Sequence, residues 1–150
     1  MDPWIGPIRS RIAGPRSGNG LLVCLPEYRP DLARNLAFVL DLSFVDFRQV
    51  FMSALGWEAH TLDLEQVSGM LRERAESRGL VLFNLEALLA TKTVEERRGW
   101  LEAFLSIPFR QPVLAMLWVY GEEAPHGDDR VFRPDAGQLP TQGLINRLAW

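Results

Sequence analysis

The sequence predicts an α/β fold: a three-layer α/β/α arrangement around a small, mostly parallel sheet of four to five strands. Three observations carry this. Short apolar runs bounded by turn residues recur at 21–25, 43–47, 80–84 and 113–120. Between them lie segments with apolar residues at helical spacing. The strongest runs, Leu21 to Leu25, Leu80 to Phe83 and Val113 to Tyr120, hold no charge at all, which is how a strand covered on both faces reads. Strand and helix in alternation build βαβ units and a parallel sheet.

The elements follow in order. Residues 1–19 carry Pro3, Gly6, Pro7, Gly14, Pro15 and Gly18, and with so many helix breakers they read as an irregular N-terminal arm. The core domain spans 20–120. Its first strand ends at Pro26, and a helix opens at Pro30 and Asp31 and runs through Leu32, Leu36, Val39 and Leu40. A second strand, 43–47, leads to a short helix that stops at Gly56. Thr61 and Asp63 open a helix with Leu64, Val67, Met70 and Leu71 on one stripe, which stops at Gly79. After the third strand, Thr93 caps a helix whose first turn holds Glu95 and Glu96, where the helix dipole favours acids. Residues 121–150 form a polar connection, with a short strand at 130–133 as a candidate, and then a C-terminal helix from Thr141 to Trp150 that packs on the core or on a partner.

Composition narrows the function classes. The chain has 150 residues, 47% of them hydrophobic and 23% charged, which suits one domain with a full core. A net charge of −3 leaves nucleic-acid binding possible only through a local arginine surface and does not favour it. Lys92 is the sole lysine among 16 basic residues. Cys24 is the single cysteine, inside an apolar run, and is expected reduced in a core strand. No apolar stretch approaches the length of a membrane span, and the N-terminus lacks a secretory layout, so no membrane partner and a cytoplasmic location are expected.

In open parallel sheets ligands bind beyond the carboxyl ends of the strands. A phosphate loop after the first strand needs glycines, whose N–H groups can approach phosphate, and a lysine to meet its charge. Here the loop is Leu25-Pro26-Glu27-Tyr28-Arg29-Pro30-Asp31, with neither. The third strand, Leu80-Val81-Leu82-Phe83-Asn84-Leu85-Glu86, has the shape of a Walker B strand. Asn84 stands where an Mg²⁺-holding aspartate would be, which makes it the candidate cofactor-binding residue, though an amide lacks the charge a hard cation favours. Glu86 is placed to activate a water. The structural alternatives are that Asn84 hydrogen-bonds a neighbouring strand end and that Glu86 is solvated.

With "LVLFNLEALLA" in the third-strand position, the layout over residues 20–120 resembles the small P-loop (BrxF-like) proteins that accompany BREX-type bacteriophage-exclusion systems. The quotable match is "LFNLEALLA", and the departure is "PEYRPD" at the nucleotide-binding loop. The resemblance implies a degenerate, non-hydrolysing, P-loop-like relative serving as a structural subunit. It transfers no catalytic residue.

Other constellations are thinner. His60 and His126 lie far apart in sequence, and "HGDD" at 126–129 reads as a surface turn, so no metal site is expected. No G-x-S-x-G elbow is present. Asp46 and Arg48 flank Phe47 and are expected to form an ion pair. Trp100 and Trp118 are assigned to the core, while Trp4, Arg147 and Trp150 on the terminal segments are the candidate partner-binding residues. The expectation is a non-enzymatic accessory or scaffold subunit without a cofactor, acting through a protein partner or as a homo-oligomer, with anti-phage defence as the setting the resemblance suggests. One alternative is a small metal-dependent hydrolase or nuclease-like enzyme using Asp46, Glu86 and Glu27. A nucleic-acid-binding accessory protein is the other.

Overall fold

A computed structural model describes residues 2–14 and 20–141. It contains a five-stranded, wholly parallel sheet in the order β2-β3-β4-β1-β5, with β1 Gly20–Cys24, β2 Ser43–Asp46, β3 Leu80–Phe83, β4 Val113–Leu117 and β5 Val131–Phe132. Every residue of β1, β3 and β4 is buried, as their uninterrupted apolar sequences require.

Alternate side chains of these strands feed two cores. Leu21, Val23, Val81, Phe83, Leu114 and Met116 meet α1 (Ile5–Ala13) and α2 (Pro30–Leu40). Leu22, Cys24, Leu80, Leu82, Ala115 and Leu117 meet α3 (Leu64–Arg74), α4 (Glu86–Leu89) and α5 (Val94–Phe104) on the other face. The three-layer α/β/α architecture follows from this period-two division of residues apolar at every position. The approach of α5 to the sheet is close enough that a Cβ at Gly20 would lie 2.1 Å from the Phe104 carbonyl oxygen, so the first strand residue has to be glycine.

Helix starts match the sequence chemistry. Pro30 occupies the first turn of α2, and full capping boxes form at Asp63 with Gln66 and at Thr93 with Glu96. Between β2 and α3 the chain forms a π-helical turn, Arg48–Met52, and then 3₁₀ turns over Ser53–Thr61 kinked at Gly56, where φ is +59°.

Three expectations need correction. The segment expected as an irregular arm contains α1, and Trp4, Ile5 and Ile8 are buried against the sheet. Pro7 does not oppose this helix, because in the first turn its missing N–H has no intrahelical acceptor to lose. Trp4, assigned to partner binding, is only 3% exposed, so its ring serves the core. Trp118, assigned to the core, is 41% exposed, because β4 stops at Leu117 rather than continuing to Tyr120. Arg147, Trp150 and all of the expected C-terminal helix beyond Thr141 lie outside the described residues. Among the described residues no helix is long and apolar enough to cross a membrane.

Candidate functional site at the carboxyl edge of the sheet

The carboxyl ends of β1 to β4 bring the sequence-predicted polar residues to one edge, where each is held by a different partner. The Glu86 side chain, on the first residue of α4, is buried and turned toward the end of β4. Its Oε1 accepts from the Trp118 N–H at 2.8 Å, and its Oε2 accepts from Val119 and Tyr120 at 2.7 and 2.6 Å. Three consecutive backbone donors thus converge on one carboxylate, as they would on a bound anion. Burial raises the Glu86 pKa above the usual carboxylate value, and the three amide hydrogen bonds pull it partway back. The side chain is neither solvated nor free to hold a water for attack.

Asn84 follows β3 with φ +65°, in the left-handed region that asparagine tolerates better than most residues. Its Nδ2 donates to Asp46 Oδ1 at 3.1 Å, joining the ends of β3 and β2. The same Asp46 oxygen accepts from the Gln49 N–H at 3.3 Å and so starts the π-helical turn. Asp46 is therefore partnered by an amide and a backbone donor, and the expected ion pair with Arg48 does not form. Of the two structural readings of Asn84 and Glu86, the first describes Asn84 and the second does not describe Glu86.

The loop after β1 is closed by a side-chain fork. Arg29 donates from Nε and Nη2 to the two Asp31 carboxylate oxygens at 3.0 and 2.9 Å, both side chains being buried. Arg29 Nη2 also donates to the Pro140 carbonyl at 2.8 Å and ties the chain after β5 to this loop. Glu27 is two-thirds exposed and lies 3.7 Å from Arg29. Where a nucleotide loop would present backbone N–H groups, this loop presents Pro26, Pro30 and a saturated ion pair.

The exposed surface of the edge is aromatic. The Tyr28 ring, half exposed, packs at 5.5 Å on Phe83 and edge-on at 5.2 Å against Trp118. Val119 beside it is 50% exposed. Trp118 and Val119 also line a cleft of about 350 Å³ together with Cys24, Gly121, Arg133, Pro134 and Asp135. Gly121 lies so close to Cys24 that an added Cβ would sit 3.0 Å from the Cys24 Cβ. Burial pushes the Cys24 thiol up to about 11, which keeps it protonated and unreactive at neutral pH.

The chain matches no protein-family model and no curated protein.

Two further pairs shape the loop beyond β4. Arg97 on α5 forks onto Glu123 at 2.6 and 2.8 Å and stacks its guanidinium 4.3 Å over the Tyr120 ring. Arg133 donates to the carbonyls of Gly121, at 2.9 Å, and Ala124, at 3.1 Å. Sequence reasoning missed both pairs and the Arg29–Asp31 fork. The one signal available was the Arg-Pro-Asp triplet, in which the proline fixes the backbone between the two charges. Among the described residues, no three His, Cys, Asp or Glu side chains group closely enough to hold a metal ion, so Asp46, Glu86 and Glu27 do not converge.

Proposed function

We propose that the protein is a non-enzymatic accessory or scaffold subunit of a larger bacterial complex, acting through protein–protein contact. The resemblance of residues 20–120 to the BREX-associated P-loop proteins makes anti-phage defence the proposed setting. The observation that carries the reading is the placement of Glu86. The residue at the Walker B end of β3 that would activate a water is committed to the amides of Trp118, Val119 and Tyr120. The neighbouring Asn84 and Asp46 satisfy each other, and Arg29 is committed to Asp31. What the edge leaves for contact is Tyr28, Trp118 and Val119, large apolar side chains of the kind interfaces concentrate.

The test is turnover. Purified protein is assayed with nucleoside triphosphates and with phosphodiester substrates in the presence of Mg²⁺ or Mn²⁺. The reading expects rates equal to those of a protein-free control. Metal-dependent turnover that disappears in Glu86→Gln would establish the hydrolase alternative in its place.

A further inference from the structure

We infer that the cleft and aromatic ledge at the carboxyl edge receive a basic, apolar segment of a protein partner: arginine or lysine side chains flanked by aliphatic or aromatic ones. The inference rests on the scaffold reading and names the chemistry of the partner that reading requires.

The apolar part of the argument is the continuity of the ledge. Tyr28, Trp118 and Val119 are each exposed by two-fifths or more, and the Tyr28 and Trp118 rings touch. Trp118 and Val119 continue into the cleft, so an extended segment can rest on the ledge and place one side chain below it. Ring faces of this kind attract guanidinium and ammonium groups.

Charge selects the sign of the partner. Glu122 lines the cleft with its side chain 90% exposed, and Asp135 lines it too. Glu27, next to Tyr28 in the chain, is 67% exposed. Of the two arginines beside the ledge, Arg29 is paired, and Arg133 lines the cleft as one positive charge beside the two acids Glu122 and Asp135. Arg29 is buried on Asp31 and the Pro140 carbonyl, and Arg133 is turned onto the carbonyls of the 121–125 turn. His126, 3.7 Å from Glu122, opposes its charge only when protonated. The exposed charges around the ledge, Glu27, Glu122 and Asp135, are therefore acidic in balance, and they attract a basic segment while repelling a phosphate backbone. A second copy of this chain is a poor occupant, because a two-fold contact through this edge would set Glu27, Glu122 and Asp135 against acids of the same patch.

The test uses the full chain and a short fluorescein-labelled peptide alternating arginine and leucine, with a glutamate–leucine counterpart, read by fluorescence anisotropy at pH 7.5. The basic peptide is expected to bind and the acidic one not to. Trp118→Ala is expected to weaken binding by about 30-fold, as loss of an aromatic anchor does. The double variant Glu122→Gln/Asp135→Asn is expected to weaken it about tenfold and to flatten its salt dependence. All three positions are at the surface, and circular dichroism is the check that each variant folds.

Equal binding of the two peptides, or basic-peptide binding indifferent to both variants, overturns the inference. So does a dimer in light scattering that Trp118→Ala dissolves, which assigns the ledge to a second copy. Tighter peptide binding by Leu148→Ala/Trp150→Ala assigns it to the chain's own last residues and overturns it equally. Failure of the peptide while turnover stays absent removes this partner and leaves the scaffold reading standing. Metal-dependent turnover removes that reading itself.

Discussion

Replacing Glu86 with alanine probes the central contact of the carboxyl edge. The substitution removes the acceptor of three backbone N–H groups held at 2.6–2.8 Å. A charge-assisted hydrogen bond of this kind contributes about 1.5–3 kcal/mol and a neutral one about 1 kcal/mol. Trp118 and Val119 are half exposed, so water can reach part of the vacated cradle, and the lower figure applies. The expected loss for Glu86→Ala is about 3 kcal/mol, read as a lower urea midpoint with an unchanged slope. In a domain of this size that corresponds to a fall in Tm of about 6–12 °C. Glu86→Gln keeps one oxygen and turns an NH₂ toward the donors, so about half the loss is expected. The pH dependence separates a buried carboxylate from a surface one. Burial raises the folded pKa of Glu86 above its unfolded value, so the folded chain holds the proton longer. The contribution of Glu86 to stability then falls as pH rises from the unfolded pKa to the folded one and is constant above it. Glutamine has no proton to lose, so its deficit against the wild type shrinks as pH rises through that window. A Glu86→Ala loss within about 0.5 kcal/mol, the range of an ordinary surface substitution, would refute the reasoning. So would a glutamine deficit that grows with pH.

Three other outcomes are expected. Arg29→Ala strands the buried Asp31 carboxylate and releases the Pro140 carbonyl, and urea unfolding should show a loss of about 3 kcal/mol, against a smaller one for Arg29→Lys. Asn84→Asp keeps a residue able to hold positive φ but sets a second carboxylate against Asp46. At neutral pH it should cost about 1–2 kcal/mol in urea unfolding, whereas no loss would show that the two side chains do not meet. With its thiol pushed up to about 11 by burial, Cys24 should alkylate with iodoacetamide far more slowly in the folded protein than in denaturant, and equal rates would place it at the surface.

Much of the fold was legible because buried parallel strands have to be apolar at every position. Leu80 to Phe83 shows that demand without interruption, and Asp63 and Thr93 announce their helices through side chains that satisfy free N–H groups. Helix α1 was not legible, since Pro7 breaks a helix interior and is neutral in a first turn, and only the position of the helix start separates the two cases. The end of β4 misled for a related reason. Hydrophobicity continues through Trp118, Val119 and Tyr120, but the ladder ends when Glu86 captures their N–H groups, and that capture is set by a residue 32 to 34 positions away. At the candidate site, the carboxyl-edge positions Asp46, Asn84 and Glu86 followed from topology alone. Their roles did not, because a residue type carries no record of which neighbour it will satisfy. Asn84 reads as a weakened metal ligand in sequence and as a positive-φ link between two strand ends in the structure.

The measurement that tests the account most directly is an isothermal titration of the 150-residue chain with Mg²⁺-ATP. An edge whose carboxylate, amide and arginine are already committed to the chain's own groups predicts no saturable heat up to about millimolar nucleotide, where binding is worth about 4 kcal/mol. Saturable binding in the micromolar range, lost in Glu86→Gln or Asn84→Ala, would contradict it.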